Sequence, residues 1–236
     1  MPSLLIPEGD PAEGFEPHPG TIGLDLGLSL AILDTQLYTE IARQLRGAGY
    51  HPALSPTGNE RLQQWQVPGS EVTIDFLIPR TTAGEQDGRV KPLEHDLGAV
   101  ITPGLELVER DYEIITLEGT TLHGSQARRD IRVCGVGAYV VLKARAIHLR
   151  AKAKDAFDLH YILRNYGTGL REVASALHPL LDNESAEEAI RWLADDFATV
   201  DDIGPARVAR FRYAAPNPRL QSDAQGLVRE LLRLLR

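Results

Sequence analysis

The chain holds a single cysteine, Cys134, among 236 residues, so neither an intrachain disulfide nor a cysteine-based zinc site can form. Aromatic residues are scarce as well, at 6%. No apolar run approaches the roughly 18 residues of a membrane-spanning helix. The opening Met1-Pro-Ser-Leu-Leu-Ile-Pro also lacks the basic start and long apolar core of a secretory signal. These absences lead to the expectation of a cytoplasmic protein with no membrane partner. Basic residues are in deficit, 25 Lys plus Arg against 33 Asp plus Glu for a net charge of −8, which argues against a general nucleic-acid binder with a broad basic face. The remainder is ordinary for a folded domain: 43% hydrophobic and 25% charged. A chain of this length buries roughly 70–75% of its unfolded surface and needs no staples.

The charges are segregated. Lys143, Arg145, Arg150, Lys152 and Lys154 follow one another with His148 among them and no acid, whereas acids dominate from Asp182 to Asp202 with Arg191 alone against them. A cationic cluster inside an acidic protein suits a phosphorylated small molecule or one nucleic-acid end. Solvated helix faces would give the same two runs.

Residues 1–20, with five prolines and three glycines, read as an irregular lead-in. In Thr21-Ile-Gly-Leu-Asp-Leu-Gly-Leu-Ser-Leu the apolar Ile22, Leu24, Leu26 and Leu28 alternate with small or acidic residues, the period of a strand with one buried face. Gly23, Asp25 and Gly27 then share its outward face. Asp34 is placed to cap a helix with Leu37, Ile41 and Leu45 on one side, closed by Gly47 and Gly49. Pro68-Gly69 between two alternating runs predicts a hairpin, and Pro79–Lys91 reads as a loop. Strands are expected at Tyr112–Leu117 and Asp130–Cys134. Helices follow at Val141–Leu149 and Lys154–Tyr166, with three or four more amphipathic helices to the end. Strands first and helices after give an α+β class, with a mixed-sheet core over residues 1–135 and a helical domain over 136–236.

Two features carry chemistry. Asp25 and Asp75 each sit between apolar neighbours on a predicted strand (Leu24-Asp25-Leu26 and Ile74-Asp75-Phe76), so both carboxylates leave the sheet by the face opposite the core. Adjacent strands lie about 4.8 Å apart, close enough for two such acids to share a divalent cation. A strand's solvent face can also carry acids for solubility alone. The second feature runs from Lys143 to Leu159. Lys143 and Arg150 fall on one helix face, Lys154 and Asp158 on another, and Asp155 in the first turn of the next helix. Part of this set can be a structural ion-pair lock around Asp158; alternatively, Lys143 and Arg150 meet the triphosphate of a nucleotide.

Thr21-x-x-Leu-Asp-Leu, the Ile74-Asp-Phe strand after a hairpin, and Lys143-x₆-Arg-x₃-Lys-Asp-x₂-Asp-Leu resemble the AbiEii-type nucleotidyltransferases, type IV toxin–antitoxin toxins of the DNA-polymerase-β-like superfamily. The resemblance spans about residues 20–166. It implies a mixed-sheet nucleotidyltransferase core followed by a helical domain, and transfer of a nucleotide from an NTP with Mg²⁺ to an acceptor such as transfer RNA. It also implies a cognate antitoxin as partner. By the same resemblance Asp25 and Asp75 are catalytic metal-binding carboxylates, Asp158 belongs to the catalytic set as a positioning acid, and Lys143, Arg150 and Lys154 contact the nucleotide. The family pattern places Asp where this chain has Gly23, and a Gly-Gly or Gly-Ser phosphate turn upstream that residues 1–20 do not supply. The alternative expectation is therefore a catalytically degenerate protein of the same fold that acts by binding a protein or RNA partner.

The seven histidines, from His18 to His178, show no metal-ligand spacing and read as surface or packing residues. Cys134 reads as a small buried hydrophobe, Trp65 and Trp192 as packing, and Gly135-Val-Gly137 as a strand-to-helix turn. Ser29 and Ser125 lack the setting of a nucleophile.

Overall fold

A computed structural model describes residues 2–6, 18–20, 23–28, 35–121 and 124–236. The expected strand residue Ile22, the helix cap Asp34, Ser29 and His123 lie outside them. The class is α+β, with strands in the first half and helices in the second. The chain divides into two compact units, one of residues 20–106 and one that joins residues 1–19 to residues 107–236. Among the described residues no helix is long and apolar enough to cross a membrane.

The first unit is built on a mixed sheet. Its strands are β1 (Gly23–Gly27), β2 (His51–Leu54), β3 (Glu60–Gln66), β4 (Thr73–Ile78), β5 (Val90–Pro92) and β6 (Gly98–Ile101). The hairpin expected around Pro68-Gly69 is β3–β4, antiparallel with Gln64 opposite Asp75 and Trp65 opposite Ile74. β4 organises the sheet. Parallel β1 runs along it from Gly23↔Thr73 to Gly27↔Leu77, so antiparallel β3 and parallel β6 share its other edge end to end. The region expected to be a loop yields β5 at its end, paired antiparallel with β6.

Alternation along β4 sends Phe76 and Ile78 into a core with Trp65, Leu97, Ala99 and Ile101, and Ile74 packs against that core. Helix α2 (Thr35–Gly47) closes this face with Tyr38 and Ala42, flanked by Ile41 and Leu45; Leu37 is only half-buried. Leu26 joins the same core, whereas Leu24, expected beside it, is 36% exposed. The opposite face of the sheet carries Gln64, Asp75, Asp25 and Gly23, because register partners on paired strands point the same way.

The second unit begins with a short helix, α1 (Pro2–Leu5), whose Leu5 is buried with Ile6 in the helical core. A two-stranded antiparallel ribbon, β7 (Tyr112–Thr120) with β8 (Gln126–Cys134), leads into α3 (Val136–Leu149) and α4 (Ala153–Asn165). Four helices follow: α5 (Leu170–Leu177), α6 (Glu184–Asp196), α7 (Ile203–Tyr213) and α8 (Pro218–Leu234). α3 is packed by α4, α5 and α6, which explains why it is apolar on most sides (Val136, Val140, Val141, Ala144 and Ile147 are buried) rather than amphipathic. Cys134 packs half-buried at the end of β8, and burial pushes its thiol up.

The Gly135-Val-Gly137 turn is shaped by packing. The Asp111 carboxylate accepts the Ala138 amide at 2.7 Å, satisfying a donor that helix geometry leaves without a partner. A Cβ on Gly135 would lie 2.2 Å from Asp111 Oδ1, and one on Gly137 would lie 2.6 Å from the Ala176 carbonyl oxygen. The helix N-terminus is thus taken by a carboxylate of the chain itself, which leaves no phosphate role for these glycines. Asp111→Ala is expected to destabilise the protein by about 1–2 kcal/mol in urea denaturation. Gly135→Ala displaces the same carboxylate, so the double variant should lose clearly less than the sum of the two; additive losses would show that the turn and the cap are independent.

Candidate active site

The sequence-selected residues fall into two groups, one in each unit. In the first unit, Asp25 of β1 and Asp75 of β4 are register partners on adjacent parallel strands. Such partners have backbones about 4.8 Å apart and side chains on the same face. Asp25 is exposed and Asp75 half-buried. Gly23 sits two residues before Asp25 on this face, and a Cβ built on it would lie 3.4 Å from Thr73 Oγ1 and 3.9 Å from Asp75 Oδ2, ordinary contact distances. A side chain at position 23 would therefore be directed into the company of Asp75 without a backbone clash. Gln64, opposite Asp75 on β3, donates from Nε2 to both carboxylate oxygens, at 3.1 Å to Oδ1 and 3.2 Å to Oδ2. Arg61 NH1 donates to the other end of that amide, Oε1, at 3.1 Å.

In the second unit, Lys143 of α3 reaches across to α4, and its Nζ donates to Asp155 Oδ1 at 2.9 Å and to Asp158 Oδ2 at 2.8 Å. Lys154, one turn before Asp158, donates to both of its oxygens at 2.7 and 3.0 Å. Arg150, just beyond the end of α3, lies 3.5 Å from Asp155 Oδ2. The remaining partner was not legible in the sequence. His18, with a side chain 1% exposed, places Nε2 2.9 Å from Asp158 Oδ1 and meets the Tyr161 ring edge-on at 4.9 Å. A contact 140 residues apart leaves no local pattern, and His18 read as surface or packing. The Asp158 side chain is only 4% exposed. Burial works to raise its pKa, but the His18 hydrogen bond and the Lys143 and Lys154 ammoniums prevail and hold the carboxyl well below the usual carboxylate range. Burial likewise pulls Lys143 down, and Asp155 with Asp158 reverse this, leaving its ammonium above its ordinary value.

Farther along α3, Arg145 and His148 pack on Trp192 of α6 and pair with Glu188 and Asp196, a tie between α3 and α6. Arg207 of α7 donates to the Ile147 and Arg150 carbonyls and so closes the C-terminal end of α3. Among the described residues no group of three or more His, Cys, Asp or Glu side chains is arranged to hold a metal ion, and at the strand pair these residues offer the two carboxylates Asp25 and Asp75.

Paired carboxylates on neighbouring strands of a mixed sheet, with a lysine–aspartate network on two consecutive helices, are the features that mark the nucleotidyltransferase class in the sequence. A family model described as the nucleotidyl transferase AbiEii toxin of the type IV toxin–antitoxin system matches residues 40–236, and the chain belongs to that family. Asp75, Lys143, Arg150, Lys154 and Asp158 lie inside the matched segment, and Asp25 precedes it. No curated protein and no solved structure gives a significant match.

Asp158→Asn leaves Lys143 and Lys154 facing a neutral group and is expected to cost about 3–5 kcal/mol at neutral pH. The sign with pH follows from the lowered pKa. The carboxylate's contribution is complete above the unfolded value of about 3.9 and is lost as pH falls from there through the lower folded value. Urea denaturation of wild type and variant should therefore give a gap that is constant from pH 5 to 7 and narrows below about pH 4. A gap unchanged at pH 3 would show that Asp158 is not held as an anion.

Proposed function

We propose that this protein is a nucleotidyltransferase that moves a nucleotide from an NTP to an acceptor such as transfer RNA. The observation that carries the reading is the register pairing of Asp25 with Asp75 on parallel strands, with Gly23 beside them. Two carboxylates supply hard oxygen donors suited to Mg²⁺, which keeps waters and takes further ligands from substrate phosphates, and so the donor set fits. When bound, Mg²⁺ would offset charge on the phosphates and acidify an acceptor hydroxyl.

The roles of the chain's own residues follow. Asp25 and Asp75 would hold the cation. Lys143, Arg150 and Lys154 contact the triphosphate, Arg150 with its exposed guanidinium and Lys154 with its partly exposed ammonium. Asp158, filled by its donors, does not exchange protons at neutral pH; it fixes Lys143 and Lys154 in place. Overall, the acceptor oxygen forms a bond to the α-phosphorus, the bond to the β-phosphate bridging oxygen breaks, and pyrophosphate leaves. The family's toxin–antitoxin character supports a cognate antitoxin as partner. Gly23 favours one competing reading, a site too poor in charge to turn over that serves for binding.

Labelled NTPs with total transfer RNA and Mg²⁺ test the choice. Wild type is expected to label RNA, Asp75→Ala to lose at least about a hundredfold, and Lys143→Ala to lose comparably. A silent wild type with activity gained in Gly23→Asp would mark a degenerate site on an intact sheet. Silence from both would overturn the transferase reading.

A further inference from the structure

On the reading that Asp75 is a metal-binding carboxylate, we propose that Gln64 is the positioning residue that orients it, and that Arg61 fixes Gln64 in turn. Neither residue belongs to the motifs that define the site in the sequence; Gln64 lies on a different strand, β3.

The argument rests on the direction of the hydrogen bonds. The amide Nε2 of Gln64 lies within 3.1–3.2 Å of both oxygens of Asp75, so this one amide sets the orientation of the carboxylate plane. An amide can present either its oxygen or its nitrogen to a neighbour, and presenting the oxygen would repel Asp75. Arg61 removes that choice. A guanidinium can only donate, so its 3.1 Å contact fixes Oε1 toward Arg61 and turns the NH₂ group toward Asp75. The relay Arg61 to Gln64 to Asp75 therefore has one sense.

Its chemistry also suits a cation site. Lysine or arginine at position 64 would hold Asp75 equally well but would neutralise it and compete with a cation. Glutamate would add charge but could not donate. A neutral double donor orients the carboxylate and leaves its charge for the ligand. The register supports this: Gln64 lies directly opposite Asp75 on β3, as Asp25 does on β1, so the acid is flanked by a donor on one side and a second acid on the other. Partners of this kind around metal ligands typically contribute about tenfold to a hundredfold in affinity.

The test uses the full chain and Mn²⁺ as the probe, with binding followed by loss of the free-ion electron paramagnetic resonance signal. Wild type, Asp75→Ala, Gln64→Met, Arg61→Met and the double Arg61→Met/Gln64→Met are compared, and thermal melting checks folding. Gln64→Met keeps the length of the side chain and removes both donors. The expected result is Mn²⁺ affinity about tenfold or more weaker in Gln64→Met with melting unchanged. Arg61→Met should weaken binding in the wild-type background and add nothing in the Gln64→Met background, because its effect passes through the amide.

Wild-type affinity in Gln64→Met would overturn the positioning role and leave the carboxylate pair standing as a metal site. Equal, additive losses from Arg61→Met in both backgrounds would overturn the relay. A wild type whose Mn²⁺ binding is absent, or is indifferent to Asp75→Ala, would overturn the metal reading itself and the positioning role with it. Should Gln64→Met fail to fold, Arg61→Met alone decides, and unchanged affinity there overturns the proposal.

Discussion

A carboxylate at 4% exposure stays ionised only if donors replace the water it has lost, and Asp158 sets that condition for the second unit. Lys143 must come from α3, Lys154 from the first turn of α4, and His18 from the start of the chain. The three contacts fix the approach of α3 to α4 and bind His18 to the helices. They also distribute charge. Lys143, Lys154 and Arg150 are three cations against the two anions Asp155 and Asp158, and the cations with most solvent access are Arg150 and Lys154. An ion-pair lock and an anion-contacting surface, which read as rivals in the sequence, are therefore compatible: the lock consumes Asp158 and still leaves positive charge outside.

The sequence disclosed what depends on local pattern. Period-2 alternation was enough to put Asp25 and Asp75 on the face opposite Phe76, and Pro68-Gly69 between two alternating runs was enough to give β3–β4. Short strands were not legible. β2 reads His-Pro-Ala-Leu and β5 reads Val-Lys-Pro, each with a proline that lowers strand propensity, and they exist because β3 and β6 offer a pairing edge. Leu24 shows the limit of alternation: the period assigns it to the core face, but β1 pairs only with β4 among the described residues, and the core does not reach this end of it.

Within the site the same division holds. Lys154 and Asp158 could be grouped from a four-residue helical step, and Lys143 with Arg150 from a seven-residue one, since such steps return to the same helix surface. His18 could not, because its partner is 140 residues away, and Gln64 could not, because a glutamine within Gln63-Gln-Trp-Gln carries no mark of its function until the register of β3 against β4 is known. The first and last turns of α3 behave similarly. Asp111 and Arg207 satisfy backbone groups that every helix leaves open, yet nothing near either residue in sequence says which helix it serves.

Gly23 and Gln64 bear on one electrostatic question. Carboxylates on adjacent strands repel one another, less strongly where solvent screens them, as it does at the exposed Asp25. A bound cation would offset the repulsion between two acids on neighbouring strands. A third carboxylate at position 23 would deepen the attraction for a cation and add to the repulsion without one. Glycine there adds no charge to this face, while Gln64 donates to Asp75 without neutralising it. On the proposed function, two carboxylates with a neutral donor behind one of them would suit a cation that takes its remaining ligands from water and substrate phosphates.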